Sequence, residues 1–391
     1  MSSTVGPGGG AERSLFYLIE AAVNAGYEAT LISPRENVVA DLVRQADLSC
    51  EVQFRRAMPS QLRTRSGRLP ARLATMTGNA ARAIRTGLGL GLEARRRRVD
   101  LIHCNNLMPN FLGGLAAVAG APAVVWHVRD IHTRAPRLAI QRRLAKNGQI
   151  KRIVCVSQAA AEQYKDAAGA KTKVVYNGID CRDWNRDSIR RQLRSERPEL
   201  AKRFIIGCHG RLADWKGYDV AIRAAAQLKQ TIPDVALVIL GDANPAVPGE
   251  LAYKAEIETL VSDLGLDEQV FMLGYQADVR SVLADIDLYV LPSISPDPFP
   301  RAVLEAMCLG LPIIASDAGG VPEALLAGAE PAGILVTSGD SSALAAQISM
   351  LHGDKDSRDR LGRAAARTVR EHFTLSRYCS DMLSVFKEAI D

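Results

Sequence analysis

The sequence predicts an α/β protein with two doubly wound, Rossmann-like domains that face a cleft. Short runs rich in valine and isoleucine alternate with helical stretches, and the series stops and restarts near residue 204. Alternation of this kind indicates parallel sheets joined by right-handed crossovers. The length of 391 residues also exceeds what one hydrophobic core usually organises, so two domains are expected.

The first half of the chain is expected to hold five strands and three clear helices. The strands are predicted at residues 29–33, 101–104, 123–128, 153–157 and 173–176. The helices are predicted at residues 11–25, 108–118 and 136–146. A glycine-rich turn at residues 6–10 leads into the first helix, and such a turn normally follows a buried strand. Because only residues 1–5 precede this turn, we expect a further strand upstream of Met1.

The second half repeats the pattern after a charged connection at residues 183–202. Its strands are predicted at residues 204–209, 236–241, 269–273, 288–291, 312–316 and 333–336. We therefore expect a first domain at residues 1–185 and a second at residues 186–374. Ligands of doubly wound sheets bind beyond the carboxyl ends of the strands, so site residues are sought there.

The composition excludes several classes of protein. With 47% hydrophobic and 24% charged residues the chain is globular rather than disordered. No apolar run approaches the ~20 residues that a spanning helix needs, and no signal peptide is visible. The seven cysteines are scattered without a CxxC pair, which predicts reduced thiols in the cytoplasm and no zinc site.

The net charge of +6 conceals two halves of opposite sign. Residues 1–185 carry 27 Lys and Arg against 14 Asp and Glu (+13), and the remainder carries 22 against 29 (−7). Twelve arginines fall within residues 55–98, and residues 131–161 contain no acid. Basic amphipathic segments favour an anionic membrane surface, with solvated helix faces as the alternative. A nucleic-acid partner is not expected, because no recognition motif is present and only 5% of residues are aromatic.

The segment after the predicted strand 288–291 carries the strongest chemical signal. Asp297 lies in a Pro/Ser loop, and Glu305 lies eight positions later inside a predicted helix. The first N–H groups of that helix, those of Arg301 and Ala302, can hold a phosphate. Glu305 can bind two vicinal hydroxyls, such as those of ribose, and Asp297 those of a second sugar. The alternative is that Asp297 caps the helix and Glu305 is a solvated surface residue.

Two cations follow the predicted strand 204–209. Arg211 and Lys216 flank a short loop there and can neutralise a nucleotide diphosphate. The alternative is ordinary surface charge.

Asp285 and Asp287 form a DxD triplet, which binds a metal diphosphate in another class of enzymes. Because the triplet begins a strand and precedes the loop that holds Asp297, we reject that role. No metal site is expected.

The order of these motifs resembles that of the retaining nucleotide-sugar glycosyltransferases of family four, which have the GT-B fold. That family has two acids separated by seven residues, in a context like Glu-Pro-Phe-Gly-x-x-x-x-Glu-Ala-Met. Asp297 and Glu305 occupy these positions, although Asp297 replaces the usual glutamate and Pro300 a common glycine. The resemblance covers nearly the whole chain and includes residues 8–13, 176–180, 210–217, 273–275 and 318–323.

The resemblance implies a role for each candidate residue. Glu305 would bind ribose, Tyr275 the base, and Arg301 and Ala302 phosphate, whereas Asp297 and His127 would position the sugar. Arg211 and Lys216 would stabilise the leaving diphosphate. Gly9 and Gly10 would allow the first loop to approach the diphosphate or acceptor closely. His103 and His209 are expected to be structural, whereas Arg129 and Asp130 are candidate contacts of the acceptor.

The resemblance also implies the reaction and the partners. The donor would be a UDP or GDP sugar, with no other cofactor and no metal. The acceptor would be a saccharide or a lipid-linked saccharide of the cell envelope, reached at the cytoplasmic face of the plasma membrane. The acceptor hydroxyl would attack from the side of the leaving group, and the helix at residues 375–391 would cross back to the first domain. A catalytically impaired binding module and a GT-B epimerase or phosphorylase remain alternatives.

Overall fold

The computed structural model describes residues 1, 9–35, 37–55, 69–132, 135–186 and 188–391. The chain forms two compact units, the first comprising Met1–Asn177 with Leu375–Asp391 and the second Gly178–Thr374. The first boundary therefore lies eight residues before the position expected after residue 185. The final helix belongs to the first unit by its contacts.

The described part of unit 1 contains six strands in two parallel sheets. The strands are β1 (Ala29–Ser33), β2 (Cys50–Phe54), β3 (Leu101–Asn105), β4 (Ala123–Val128), β5 (Ile150–Cys155) and β6 (Thr172–Val174). β1 pairs with β2, and the other four form a sheet in the order β3-β4-β5-β6. Every pair is parallel, as the alternation of strands and helices predicts.

Among the residues that the structure describes, seven helices of unit 1 precede the second unit in the chain. They are α1 (Gly10–Asn24), α2 (Val38–Gln45), α3 (Leu69–Arg96), α4 (Leu107–Val118), α5 (Ala135–Ala145), α6 (Gln158–Ala161) and α7 (Lys165–Ala168). α3 lies against α4 through two glycines. A Cβ at Gly87 would stand 2.5 Å from the Cβ of Leu115, and one at Gly91 2.5 Å from the carbonyl oxygen of Ala116. The glycines therefore permit close packing of the two helices.

Met1 lies at the edge of β3. Its amino group donates to the carbonyl oxygen of His103 over 2.7 Å, and its own carbonyl accepts from the backbone N–H of Asn105 over 3.2 Å. This is the hydrogen-bond pattern of a residue in a neighbouring parallel strand. The expectation of a strand upstream of Met1 stays a prediction, and residues 6–8 of the glycine-rich turn lie outside the described residues.

As far as the structure describes it, unit 2 contains one parallel sheet of six strands. They are β7 (Phe204–His209), β8 (Val235–Leu240), β9 (Val270–Met272), β10 (Leu288–Leu291), β11 (Ile313–Ser316) and β12 (Ile334–Val336). Their order is β12-β11-β10-β7-β8-β9, and β7, β8, β10 and β11 are buried along their whole length. Burial on both faces explains why these strands are almost continuously apolar.

The remaining helices complete the doubly wound arrangement. Those of unit 2 are α8 (Leu193–Glu196), α9 (Tyr218–Leu228), α10 (Glu250–Asp263), α11 (Arg280–Leu283), α12 (Arg301–Cys308), α13 (Val321–Leu325), α14 (Ser341–Gly353) and α15 (Lys355–His372). The last helix, α16 (Leu375–Ile390), returns to unit 1. There its buried residues Tyr378, Met382 and Phe386 share a core with Val125 of β4.

The two ends of unit 2 are fixed to each other. The backbone N–H of Ile179 donates to the carbonyl oxygen of Phe373 over 2.9 Å, next to a parallel bridge between Ile179 and Thr374. Two residues after Ile179, Cys181 forms a disulfide with Cys308 at the end of α12, with 5.5 Å between their Cα atoms. The chain segments that begin and end unit 2 are thus linked to each other, and the first of them is linked to the end of α12.

The disulfide corrects the expectation that every thiol is reduced. The fold brings together two cysteines that are 127 residues apart, a proximity that their spacing along the chain does not reveal. Disulfides are rare in cytoplasmic proteins, so the cysteine pattern no longer supports a cytoplasmic location. The other five cysteines are free.

In the described part of the chain, no helix has both the length and the apolar character needed to cross a membrane.

Candidate active site

The predicted site residues of unit 2 lie at the point of the sheet where the strand order reverses. β7 and β10 are neighbours at the centre of the sheet, and the strands on either side of this pair follow in opposite orders. The loops after the carboxyl ends of such a pair diverge and leave a crevice, which is the usual ligand site of doubly wound sheets. The loop after β7 carries Arg211 and Lys216, and the loop after β10 carries Asp297.

Lys216 and Asp297 form a buried ion pair. The Nζ atom of Lys216 lies 2.7 Å from Oδ2 of Asp297, and the two side chains are 14% and 6% exposed. Nζ also lies 4.3 Å from the ring centroid of Trp215, so the cation has an aromatic face beside it. The structure therefore joins the two predicted residues directly, and neither is an ordinary surface charge.

The backbone of Asp297 is fixed by a neighbouring loop. Asp297 pairs with Gly319, and its carbonyl oxygen accepts from the N–H of Gly320 over 2.8 Å. Gly319 has φ +64°, and a Cβ there would stand 2.2 Å from that carbonyl oxygen. Asp297 does not cap α12, because the residue before this helix is Pro300 and no side chain caps it. The alternative role proposed for Asp297 is therefore wrong.

Glu305 is buried within α12 rather than solvated. Its Oε2 atom accepts a 2.7 Å hydrogen bond from Nε2 of His209, the last residue of β7. Its Oε1 atom lies 3.8 Å from Nε of Arg301, one turn earlier in the helix. The Arg301 guanidinium also donates to the carbonyl oxygen of Gly178 over 2.8 Å. The Arg301 and Ala302 amides begin α12, where backbone N–H groups have no intrahelical acceptor.

Arg211 has a partner that sequence reasoning missed. Its Nε atom lies 3.1 Å from Oε1 of Glu250, the first residue of α10, and the Arg211 side chain remains 47% exposed. Oε2 of the same buried carboxylate accepts from the N–H of Asn244 over 2.9 Å. An acid at the first position of a helix is favoured by the helix dipole, and this is the only local signal that marks Glu250.

Tyr275 presents its ring to solvent. It is 68% exposed, the highest value among the exposed large hydrophobic residues of the described chain, and it follows Gly274, which has φ +67°. The preceding turn lies beside β8, because the N–H of Gly241 donates to the carbonyl oxygen of Gly274 over 2.8 Å. An exposed aromatic ring in this position is available to stack on a planar group.

The two carboxylates of the DxD triplet accept hydrogen bonds from the protein itself. Oδ2 of Asp287 accepts from Arg194 over 2.6 Å and from the N–H of Ile205 over 2.8 Å. Oδ2 of Asp285 accepts from the N–H of Arg194 over 3.0 Å. No group of three His, Cys, Asp or Glu side chains within the described ranges is arranged to hold a metal ion. A metal-independent reaction stays a prediction.

In unit 1, Gly9 and Gly10 stand at the start of α1. Gly9 is the residue before the helix, and its N–H donates to Oε2 of Glu12 over 2.8 Å. Within the described ranges, a Cβ at Gly9 would meet only this carboxylate oxygen, at 3.6 Å. Because glycine has no side chain, neither residue covers the start of α1. Their contact with a diphosphate or acceptor stays a prediction.

His127, which the resemblance implies would position the sugar, is fully buried in β4. Alternation along β4 turns its ring toward Tyr378 of α16 and toward His103, whose Nε2 lies 3.3 Å from Nδ1 of His127. Burial, with a contribution from Arg129, holds the pKa of His127 well below its usual range, so the ring is neutral. The described residues leave no exposed surface on the His127 ring. Its contact with the donor sugar stays a prediction.

Arg129 is a structural residue here rather than a contact of the acceptor. Its guanidinium is buried and donates to Asn105 and Asn177 over 2.7 Å each, and to the hydroxyl of Tyr378 over 2.9 Å. The side chain thereby ties β3, the end of unit 1 and α16 together. Sequence position alone cannot reveal this, since Tyr378 lies 249 residues away.

Comparison with solved structures confirms the predicted fold. HepE of Anabaena, solved in complex with UDP and glucose, superposes with a TM-score of 0.78 and is 25% identical. The alignment covers 99% of this chain and 98% of HepE. The fold is therefore that of the GT-B glycosyltransferases, with two doubly wound units.

Sequence comparison identifies the family. Residues 189–368 match the family described as Glycosyl transferases group 1, and residues 8–183 match Glycosyltransferase Family 4. The chain belongs to the group 1 glycosyltransferases of the GT-B fold, which act on nucleotide sugars. The predicted family is thus confirmed.

Two relatives align with most of the chain. The D-inositol 3-phosphate glycosyltransferase of Salinispora tropica is 29% identical over 360 residues, which are 82% of this chain and 69% of that protein. The lipopolysaccharide core biosynthesis glycosyltransferase LpsE of Rhizobium meliloti is 25% identical over 380 residues, which are 94% of this chain and 93% of LpsE.

Proposed function

We propose that this protein is a retaining glycosyltransferase that moves a hexose from a UDP or GDP sugar to a saccharide of the cell envelope. The observation that carries the proposal is the paired arrangement of charges at the carboxyl ends of β7 and β10. There Lys216 meets Asp297 at 2.7 Å, and Glu305 lies buried one helix turn after Arg301. HepE is a structural neighbour that binds UDP and glucose, which supports a nucleotide-sugar donor.

The donor groups are assigned to the residues that match their chemistry. Glu305 accepts hydrogen bonds from the two ribose hydroxyls, and the Tyr275 ring stacks on the base. Arg211, Lys216 and the start of α12 bind the diphosphate, since all three offer positive charge or N–H donors. Asp297, once Lys216 turns to phosphate, accepts from hydroxyls of the transferred sugar.

The reaction follows from where negative charge develops. As the bond from the sugar to the diphosphate breaks, the Lys216 ammonium and the Arg211 guanidinium stabilise the leaving oxygen. The acceptor hydroxyl attacks the anomeric carbon from the face that the leaving group occupies and loses its proton to the departing phosphate. The new bond forms on the same face as the broken one, so the configuration of the anomeric carbon is retained. These two cations and the start of α12 replace a metal ion, so the proposed reaction needs no cofactor besides the donor.

Donor hydrolysis without an acceptor tests this proposal. We expect slow release of UDP or GDP from one member of a panel of UDP- and GDP-hexoses. Glu305→Ala removes both acceptors of the ribose diol and is expected to reduce kcat/KM by about 100-fold, because hydrogen bonds to charged groups are strong. Glu330→Ala, a change of an exposed carboxylate in unit 2, is the matched control and should leave the rate unchanged.

Three outcomes would contradict parts of the proposal. Unchanged turnover in Glu305→Ala would refute the assignment of the ribose site. Nucleotide binding without turnover would favour the binding module over the enzyme. Activity that EDTA abolishes and Mg²⁺ or Mn²⁺ restores would refute the metal-independent reaction.

We further propose that the acceptor is lipid-linked and that α3 meets an anionic membrane. Ile84 and Leu92 are 46% and 55% exposed, and with Leu88 they are spaced four residues apart on one side of the helix. Arg85 and Arg95 are exposed beside this stripe, whereas the side with Gly87 and Gly91 packs on α4. An apolar stripe flanked by arginines suits the interface of an anionic bilayer. The arginines at positions 56, 63, 65, 68 and 134 lie outside the described residues.

Liposome flotation tests the membrane surface. The wild-type chain should float with vesicles that contain anionic lipid and stay behind with neutral ones. Each cation near the surface contributes about 1 kcal/mol, so Arg85→Gln, Arg95→Gln and Arg96→Gln together should weaken binding by about 100-fold. The matched control replaces three exposed arginines of α15, at positions 360, 363 and 367, in the same way and should bind as the wild type. Equal flotation with neutral vesicles would contradict the proposal.

A further inference from the structure

His209 makes a contact that its expected structural role does not explain. Its ring ends β7 and is buried, and its Nε2 atom makes the 2.7 Å hydrogen bond to Oε2 of Glu305. The two residues are 96 positions apart, so the contact exists only because β7 and α12 converge at the site. Among the described residues, Nδ1 of His209 has no hydrogen-bond partner.

The carboxylate partner determines which ring nitrogen of His209 carries the hydrogen. A carboxylate can only accept, so the imidazole nitrogen that faces it carries the hydrogen, and Nδ1 of a neutral ring is an acceptor. The ring itself is held by an edge contact with Tyr289, with 5.5 Å between the centroids. His209 therefore offers Glu305 one donor in a fixed position.

A diol makes strict demands on the carboxylate that binds it. Two vicinal hydroxyls need both carboxylate oxygens at the correct height and angle, and a glutamate side chain has three rotatable bonds. Arg301 approaches Glu305 only to 3.8 Å, and its guanidinium donates to Gly178. The 2.7 Å contact with His209 is directed at Oε2 and therefore contributes to the orientation of the carboxylate.

We propose that His209 is a positioning residue that holds Glu305 for recognition of the ribose diol. This inference rests on the proposed function, in which Glu305 binds ribose. His209 acts through Glu305 and not on the diphosphate or the transferred sugar. Its loss should therefore weaken the preference for ribonucleotides over 2′-deoxyribonucleotides.

Calorimetric titration with UDP, GDP and their 2′-deoxy forms measures this preference in the full-length chain. His209→Val should weaken binding of the ribonucleotide by about tenfold and binding of the deoxy form by at most about twofold, because the deoxy form lacks the 2′-hydroxyl and presents only one hydroxyl to the oriented carboxylate. The ratio of the two dissociation constants should thus fall by about fivefold or more. His209→Asn cannot extend a donor to the Nε2 position, and it should behave like the valine variant.

Two further variants separate positioning from packing. His209→Gln places an amide N–H near the position of Nε2 and should restore most of the ratio. His352→Val removes another histidine that lies near a carboxylate, 3.5 Å from Asp234, at the other end of β7. It should leave the ratio as in the wild type. If the valine variant does not fold, the comparison of His209→Asn with His209→Gln carries the test.

The outcomes distinguish this inference from the function on which it rests. A wild-type chain that binds neither UDP nor GDP would overturn the proposed function. A wild-type chain that prefers the ribonucleotide, together with His209→Val and His209→Asn variants that keep the full preference, would overturn only the role of His209. Equal binding of ribo and deoxy forms by the wild type would overturn it as well, because no diol recognition would remain to be oriented.

Discussion

Lys216→Ala is expected to lower kcat/KM for donor turnover by about 10³-fold. Removing one positioned charge from the place where a leaving group becomes negative typically costs 10²- to 10³-fold in rate. The change also leaves the Asp297 carboxylate without its ion-pair partner, although the side chain is only 6% exposed. An uncompensated buried charge destabilises a protein by about 3–5 kcal/mol, so the free energy of unfolding should fall too.

A second substitution separates these two effects. Lys216→Met combined with Asp297→Asn removes both charges, so stability should largely return while turnover stays low. Lys355→Ala is the matched control, because Lys355 pairs with Asp359 on an exposed face of α15 in the same unit. It should change neither property. Turnover at the wild-type rate in Lys216→Ala would contradict the assignment of the leaving-group site.

Gly319→Ala is expected to destabilise unit 2 and to displace Asp297. The position has φ +64°, where a side chain costs roughly 1–2 kcal/mol. The added Cβ would also stand 2.2 Å from the carbonyl oxygen of Asp297 and 2.8 Å from its backbone nitrogen. Since both atoms are backbone, the loop that holds Asp297 must move. We expect a total loss of about 2–4 kcal/mol, which falls in the range of strained and overpacked substitutions.

Gly339→Ala isolates the contribution of the backbone angle. Gly339 has φ +80°, and a Cβ there would meet no atom of the described residues within 4 Å. Its variant should therefore show only the cost of the left-handed conformation and should keep full turnover. Melting temperature and donor hydrolysis of the two variants, measured side by side, check the prediction. Equal losses in both variants would show that contact with Asp297 is unimportant.

Much of the fold follows from local pattern. The predicted strands at residues 29–33, 123–128, 204–209 and 288–291 coincide with β1, β4, β7 and β10. The last three are buried along their whole length, and buried parallel strands form nearly continuous apolar runs with clear ends. The strand Cys50–Phe54 was not predicted, since it contains Glu51 and Gln53 and no residue in it is fully buried. The length of α3 was not predicted either, because its glycines and threonines weaken the helical signal.

The residues of the candidate site can be proposed from sequence motifs, but the contacts between them cannot. The motifs identify Lys216, Asp297 and Glu305, yet the pairs they form join residues 81 and 96 positions apart. No local spacing shows that Lys216 faces Asp297 or that His209 faces Glu305. The same limit applies to His127, because the helix that covers its side of β4 is the last one in the chain.

The fixed ends of unit 2 make this unit an insertion within unit 1. Ile179 and Phe373 stand one hydrogen bond apart, so the chain leaves unit 1 and returns to it through adjacent positions. Insertions with neighbouring ends can be exchanged with little disturbance to the host domain. The residues that the proposed function assigns to the donor all lie inside this insertion. Exchange of the segment between these two positions is therefore expected to change the donor specificity of an enzyme while its other unit is conserved.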